Sequence, residues 1–368
     1  MDEKTAPAAK TTAQDHLIAE ITKLKQQADK AQLPPGLYEK VSGMFARLER
    51  AANYGDYTEE YERVNHYIDW IANLPWQTTT PDKLDLVRAK QVLDKHHYGL
   101  EDVKERVLEY LAVLKLNQDK GRQEAHARAP ILLLVGLVGT GKTTFAYSLA
   151  EATGREVIRI PFGGMGSARD LRGQSRLHLE AEPGYVIKAL RRVKTRNPVV
   201  LLDEIDRVSE AARGDIMGVL VELLDPEQNK AFIDHYVDFP FDLSQVLFLG
   251  TANATRKIAT AVMDRMEPIS MPSYTDQEKI VIGKDYLLPR ALEDAALGEG
   301  VIIIDPDLWP KIVRPLGYDA GIRTLQRTIK GIVHKFAKLK VEGKIESIHL
   351  TEENLKQFLP TYKSEVNY

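Results

Sequence analysis

The chain has 368 residues, of which 43% are apolar, enough for two or three domains with hydrophobic cores. The formal net charge of −3 gives no field that favours nucleic acid or an acidic membrane surface, and no apolar run is long enough to span a membrane. Cysteine is absent, which excludes disulfides, thiolate metal sites and a cysteine nucleophile and fits a reducing, cytoplasmic location.

The first 83 residues are predicted to form a disordered tail, 1–14, followed by a helical segment, 15–83. The tail is rich in Ala, Thr and Lys and lacks the apolar stretch of a secretory signal. Beyond it, apolar residues recur at helical spacing over 15–31, 37–52 and 58–73, and the turn-forming sequences LPPG and YGD separate these stretches. Because such helices would have no deep core of their own, we expect them to pack on a neighbouring domain.

Residues 84–272 are predicted to form a large α/β domain. It begins with a helical stretch, 84–116, which is broken near Tyr98 and Gly99. Short apolar runs then alternate with helical stretches, which is typical of βαβ units and predicts a mostly parallel sheet that is apolar on both faces. The predicted strands are 131–135, 157–161, 199–203 and 246–252, and the helices between them are 142–151, 184–195 and 213–224.

Residues 273–368 are predicted to form a smaller, mainly helical domain. Helical patterns cover 275–295, 306–315 and 321–341, and short apolar runs at 301–304 and 347–350 predict two strands.

The segment GLVGTGKT, at 136–143, matches the phosphate-binding pattern G-x-x-x-x-G-K-[ST] and lies between a predicted strand and a predicted helix. Glycines let the backbone N–H groups turn toward phosphate oxygens, and the helix that begins at Lys142 adds its positive N-terminal end. Lys142 can reach the β- and γ-phosphates, and the Thr143 hydroxyl can ligate Mg²⁺. An ordinary glycine-rich turn is the alternative. The predicted cofactors are ATP and Mg²⁺, and the predicted binding residues are Gly136, Leu137, Val138, Gly139, Thr140, Gly141, Lys142, Thr143 and Thr144.

Two further strands are predicted to end on polar residues at the same edge of the sheet. VVLLDEID delivers Asp203, which would hold the Mg²⁺ shell, and Glu204, which would orient and deprotonate the attacking water. The alternative is that these carboxylates cap the next helix. VLFLGTAN ends at Asn253, whose amide would position the same water, unless it is a turn residue.

Phosphoryl transfer also needs positive charge near the transferring group, and two arginines are candidates. They are Arg265 in MDRME and Arg323 in AGIRTLQR. From spacing alone, an ordinary surface ion pair is the favoured alternative for each, and Arg265 has Asp264 beside it.

Together these segments resemble the ATPase (AAA+) module of the Lon protease family. The resemblance rests on GLVGTGKT, PVVLLDEID, LLDPEQN, DRME, HHYGL and AGIRTLQR and covers about residues 33–360. It implies an α/β fold in which helices flank the parallel sheet of a P-loop domain, with a helical segment before it and a small, mainly helical lid domain after it.

The resemblance also implies roles that spacing does not. Arg265 matches the arginine finger that reaches a neighbouring subunit, Arg323 the sensor arginine of the lid, and Asn253 the sensor on the sheet. Tyr98 and Gly99 fall where the family contacts adenine. A finger acting on a neighbour implies a homo-oligomeric ring, usually a hexamer, and the family acts on unfolded or misfolded protein.

The predicted substrate loop, with His178 and Leu179, departs from the family pattern of an aromatic–aliphatic–Gly step before a Met-Pro-Gly turn. The aromatic residue is His178 here, the glycine is Glu180 and the methionine is Glu182. Aromatic rings grip a threaded chain by apolar contact. The altered loop would therefore grip less strongly and favour basic segments, or it no longer grips.

In the family, the serine–lysine protease domain begins near the point where this sequence ends, and no serine here can be nominated as its nucleophile. Three functions stay open. The chain is a motor that unfolds or remodels proteins for quality control, the motor part of a split or truncated protease that needs a separate protease domain, or an ATP-gated binding scaffold that no longer threads substrate.

Overall fold

Three helices open the part of the chain described by the computed structural model, which comprises residues 8–54, 58–121, 130–178, 180–314 and 320–360. The first helix already includes residues 8–14, which corrects the disorder expected there; alanine, abundant in this stretch, is the strongest helix former. Residues 1–7 lie outside the described ranges. The three helices are Ala8–Lys30, Pro35–Tyr54 and Thr58–Ala72.

A five-stranded parallel sheet follows, with the strand order β2-β3-β6-β1-β7, and it confirms the predicted α/β fold class. Its edge strand β7 was not predicted, because Glu267 and Pro268 interrupt the apolar pattern. Proline is tolerated there since β7 has a neighbour on only one side. The strands are β1 (Ile131–Gly136), β2 (Val157–Pro161), β3 (Val199–Asp203), β4 (Phe232–Ile233), β5 (Pro240–Phe241), β6 (Leu247–Ala252) and β7 (Met266–Met271), of which β4 and β5 form a separate antiparallel pair.

Helices cover both faces of the sheet, and alternate residues of β1 point to opposite faces. Leu132 and Leu134 lie in a core with the helices before and after β1, whereas Leu133 lies in the core that also contains the three N-terminal helices. The N-terminal helices therefore pack on the sheet domain. The helices of this part are Leu86–His96, Glu101–Asp119, Lys142–Thr153, Arg169–Arg172, Tyr185–Val193, Arg213–Leu224 and Thr260–Met263, with 3₁₀ turns at Ile205–Arg207, Asn229–Ala231 and Thr255–Lys257.

The C-terminal helical part has its own hydrophobic core, centred on the long helix Arg323–Val341. The helix predicted over 275–295 contains a π-helical turn, where Gly283 lets Trp309 approach closely; an added Cβ would lie 2.6 Å from the ring. Besides that long helix, the elements are the helices Asp276–Val281, Leu288–Asp294, Trp309–Val313 and Leu355–Phe358, the π-helical turn Ile282–Leu287, the 3₁₀ turn Pro306–Leu308, and the parallel strands β8 (Ile302–Ile304) and β9 (Ile348–Leu350). Across the described ranges, none of the helices is both long and apolar enough to cross a bilayer.

Candidate nucleotide site

The phosphate loop connects the buried strand β1 to the helix Lys142–Thr153 along a path that only glycine fits at three points. Gly139 and Gly141 have φ values of 86° and 95°, in the left-handed region that disfavours residues with a Cβ. A Cβ at Gly136 would lie 2.6 Å from the carbonyl oxygen of Met271. The backbone of this loop is therefore held close to β7.

The other residues of the loop hold its shape. The buried Thr140 hydroxyl donates to the Leu137 carbonyl at 3.0 Å, and the Thr144 hydroxyl donates to the Gly141 carbonyl at 2.7 Å. Thr143 lies half-buried in the first turn of the helix. The side chains of Leu137 and Val138 are exposed, so these two residues offer the site their backbone groups.

Lys142 links the loop to the neighbouring strand β6. Its buried Nζ donates to the carbonyl oxygens of Gly136 at 2.6 Å and Leu137 at 2.9 Å, and to the side-chain oxygen of Asn253 at 3.2 Å. Burial lowers the pKa of Lys142, while the carboxylates of Asp206, then of Asp203 and Glu204, act in the opposite direction. Lys142 thus bonds Asn253 after β6 directly, and the carboxylates at and just after the end of β3 act on its charge.

The Asp203 carboxylate lies at the end of β3 and is almost fully buried. One of its oxygens accepts from the Thr251 hydroxyl, and the other accepts from Arg159 Nε at 2.6 Å. Since an ionised carboxylate has about four lone-pair positions, these two bonds leave acceptor capacity on Asp203.

Glu204 follows in a left-handed conformation, with φ 59° and ψ 47°. Its backbone N–H donates to the Thr251 hydroxyl at 2.9 Å, so Thr251 contacts both acidic residues. A Cβ at Gly163 would lie 2.8 Å from a Glu204 carboxylate oxygen. A side chain at position 163 would therefore displace this carboxylate.

Two buried polar atoms beside Lys142 have no hydrogen-bond partner among the described residues. They are Asn253 Nδ2 and Asp206 Oδ1. Buried polar groups in native structures are nearly always paired, so each of these two atoms has the capacity to bond a ligand or water.

The C-terminal helical part reaches the phosphate loop through residues 320–323. The backbone N–H of Ile322 donates to the Gly139 carbonyl at 3.0 Å, and the Arg323 side chain passes within 3.3 Å of where a Cβ on Gly139 would be. The positive charge of Arg323 also lowers the pKa of Lys142, so the two cations lie close enough to interact. Arg323 therefore lies at the loop of its own chain.

Arg265 lies elsewhere. Within the described chain, its guanidinium donates to Asp225 at 2.8 Å and to the Ala261 carbonyl at 2.8 Å, and no contact with the phosphate loop is found. The hydrogen bond from Arg265 lowers the pKa of Asp225. The ion pair thus forms with Asp225 rather than with the adjacent Asp264.

The segment with Tyr98 and Gly99 lies between the sheet domain and the C-terminal part. The Tyr98 ring meets Tyr286 edge-on at 6.4 Å, and Gly99 has a φ of 63°. The preceding His97 is buried against Phe145, with its Nε2 3.0 Å from the Ser148 hydroxyl. Burial lowers the pKa of His97 to about 4, so this ring is neutral at physiological pH.

The predicted substrate loop projects from the sheet domain. His178 is exposed, as is Leu177 with 89% of its surface accessible. Leu179 lies outside the described residues. Among the described residues, hydrogen bonds join the base of this loop to the turn between β4 and β5.

Three residues that contact or act on the predicted site residues were not themselves predicted: Arg159, Thr251 and Asp206. A charged residue inside the short apolar strand β2 and a hydroxyl inside the apolar strand β6 were the available signals. Their importance depends on the register of β2, β3 and β6, which brings the three strand ends together.

A phosphate loop between strand and helix, acidic residues at the end of β3 and an amide after β6 are the arrangement of a P-loop ATPase, and the comparisons narrow the class. Residues 132–273 match the model of the ATPase family associated with various cellular activities (AAA). Among curated proteins, the chain is 41% identical over 345 residues to Lon protease 2 of Thermus thermophilus, and 42% identical over 341 residues to Lon protease of Dictyoglomus thermophilum. Lon protease of Lawsonia intracellularis is 42% identical over 340 residues.

Each alignment covers 92% of this chain but only 40–42% of the relative. The chain therefore spans about two fifths of the length of these relatives. It belongs to the Lon-like AAA ATPases and corresponds to the ATPase part of such a protein.

Proposed function

We propose that the chain hydrolyses Mg²⁺-ATP at the phosphate loop and uses the cycle, as a ring in the cytoplasm, to unfold or remodel protein substrates for quality control. The observation that carries the proposal is the meeting of Lys142, Asn253 and Asp203 at one edge of the sheet. Protein substrates and a ring are proposed from the family, because the relatives are much longer than this chain.

The residues present fit ATP. The backbone of 136–144 turns through the left-handed residues Gly139 and Gly141, and the unpaired Asn253 Nδ2 is a buried donor on the residue that accepts from Lys142. Lys142 Nζ can exchange its bonds to the loop carbonyls for bonds to phosphate oxygens. We assign the adenine contacts to Tyr98 and Gly99, which lie near the start of the loop helix: a Cβ on Gly141 would be 3.9 Å from His97 Nδ1.

The donor set also fits Mg²⁺, a cation that prefers oxygen ligands and keeps several waters. The Thr143 hydroxyl and the remaining lone pairs of Asp203 would hold it. When bound, it supplies charge that offsets the charge of the phosphate oxygens. Arg159 and Thr251 fix the orientation of Asp203, and Arg159 limits the negative charge at this edge of the site.

Glu204 is proposed to orient and deprotonate the attacking water. Its carboxylate lies over Gly163, and its described partner is Arg207, at 3.3 Å, a long ion pair that leaves the oxygens able to accept from water. Asn253 is proposed to hold the same water through its amide. Arg323 would place positive charge at the loop within the chain.

Arg265 is proposed to act on a neighbouring subunit, in a homo-oligomer that is a hexamer in this family. Its ion pair with Asp225 holds the guanidinium away from the nucleotide site proposed for the same chain. A hydrolysis site that takes a residue from the next subunit requires assembly for activity.

Two other functions remain candidates because the substrate loop carries His178, Glu180 and Glu182. The chain could be the motor of a protease that depends on a separate protease domain, or an ATP-gated scaffold. Steady-state ATP hydrolysis with and without unfolded casein separates them, with Glu204→Gln as the control for contaminating activity. Stimulation by casein supports a motor, and loss of intact casein upon addition of a protease domain supports the second function. Healthy basal hydrolysis with no response to casein supports the scaffold.

A further inference from the structure

The loop 174–183, in which Leu177, His178 and Glu180 are exposed, is closed at its base by backbone contacts. The Gln174 N–H donates to the Glu182 carbonyl at 3.1 Å, which joins its two stems. Gly184 packs so tightly that a Cβ there would lie 2.0 Å from the Leu171 carbonyl oxygen, and a Cβ on Gly173 would lie 2.8 Å from Gly184 N. The stems are thus fixed to each other, although the tip is exposed.

Residues 234–238, the turn between β4 and β5, hold both stems; we call them the clamp turn. The fully buried Asp234 carboxylate accepts from Gly184 N at 2.7 Å on one stem, and from its own turn at Tyr236 N and Val237 N. On the other stem, His235 N donates to the Arg172 carbonyl at 2.7 Å. Three backbone donors offset part of the cost of burying this carboxyl.

The N-terminal helices contact the same clamp turn. The buried Tyr67 hydroxyl, on the helix Thr58–Ala72, donates to the Val237 carbonyl at 2.8 Å. Lys40, on the helix Pro35–Tyr54, donates to the Asp238 carbonyl at 2.8 Å and forms an ion pair with its carboxylate. Tyr236 packs among the rings of the helix Thr58–Ala72.

One residue of the loop itself reaches these helices. The Arg176 guanidinium lies 3.8 Å from the centre of the Tyr67 ring, and it is about three-quarters buried. A desolvated cation over an aromatic face is one of the stronger contacts of this kind. The loop is therefore joined to the N-terminal helices both through the clamp turn and directly.

We propose that the helix Thr58–Ala72 and the clamp turn support the substrate loop, with Tyr67 and Arg176 as the positioning residues that transmit load between the loop and the N-terminal helices. This inference rests on the proposed role of the loop in contacting polypeptide. A loop held in place before binding loses less conformational freedom when it engages a chain, so the support strengthens the grip of a tip that lacks an aromatic ring.

The test replaces Arg176 with Met, which keeps the length of the side chain and removes the charge and the planar group. Arg191→Met is the matched control, because Arg191 stacks 4.1 Å over Trp70 and bonds Asp69 on the same helix, but from the helix Tyr185–Val193 instead of the loop. Two quantities are measured: the rate of cleavage by glutamyl endopeptidase after Glu180 and Glu182, and the casein concentration that gives half-maximal stimulation of ATP hydrolysis.

For Arg176→Met we expect both quantities to rise about fivefold, the factor set by losing one partly desolvated cation–π contact. Arg191→Met should change them less than about twofold, and Arg176→Lys, which keeps the cation, should fall between wild type and Arg176→Met. Equal effects of Arg176→Met and Arg191→Met on cleavage would overturn the inference. If wild type shows no casein stimulation, the proposed function fails, and the cleavage rates still decide whether Arg176 positions the loop.

Discussion

Replacing Gly321 with Ala tests whether the C-terminal helical part must touch the phosphate loop for hydrolysis. Gly321 lies against the loop, and an added Cβ would be 2.4 Å from the Val138 carbonyl oxygen and 2.7 Å from the Gly139 backbone. That is about 1 Å closer than an ordinary van der Waals contact, so the segment must retreat by roughly that distance. The Ile322–Gly139 hydrogen bond would lengthen, and Arg323 would move with it.

A displacement of about 1 Å at a catalytic constellation costs about 100-fold in rate, so we expect kcat for ATP hydrolysis to fall by about that factor. The affinity for nucleotide should change much less, because no residue of the loop is replaced and Lys142 keeps its place at the start of its helix. Phosphate release gives kcat, and the fluorescence of a labelled ATP analogue gives the dissociation constant. Thermal unfolding checks that the variant is folded.

Gly298→Ala is the matched control, since an added Cβ there meets no atom within 4 Å. It should hydrolyse ATP like wild type. If Gly321→Ala is folded and its kcat lies within about threefold of wild type, contact between residues 320–323 and the loop is not required, and the role assigned to Arg323 loses its structural basis.

Four further predictions concern single residues. Lys142→Ala should abolish nucleotide binding, because the phosphates lose their main counter-charge; tight ATP binding measured by calorimetry would refute the loop assignment. Glu204→Gln should bind ATP but turn over at least about 100-fold more slowly, and near-normal phosphate release would remove Glu204 as the base. Arg265→Ala should hydrolyse poorly in assembled rings and regain part of its activity when mixed with Lys142→Ala subunits, whereas no rescue would argue against action on a neighbour. Burial lowers the pKa of His97 from 6.5 in the unfolded chain to about 4 in the folded one. The contribution of His97 to the free energy of unfolding should therefore be complete above pH 6.5 and decline by up to about 3 kcal/mol as the pH falls toward 4. In denaturant unfolding, His97→Gln should lack this part of the pH dependence.

Much of the fold followed from patterns that act locally. Apolar runs bounded by turn residues predicted four of the sheet strands within a residue or two, and the helix boundaries around the sheet were close to those observed. The missed strand β7 shows the limit of this reasoning. Its sequence, MEPISM, carries no continuous apolar run, and it is a strand because β1 offers it a free edge to pair with.

The predicted site residues divide in the same way. Residues 136–144 are consecutive, so the path of the loop could be predicted from its glycines and from the strand and helix on either side of it. Arg265 could not be placed from its neighbours, because its partner, Asp225, is 40 positions away in the sequence.

By itself, the sequence determined the phosphate loop, the acidic end of β3 and the parallel sheet, since each depends on backbone preferences and on the spacing of apolar residues along a short stretch. Only the tertiary structure decided that Arg159 pairs with Asp203, that Gly321 touches the loop, and that Arg176 lies over the ring of Tyr67. These contacts join residues that are far apart along the chain. Their geometry is set by how helices and strands pack, and no local pattern records it.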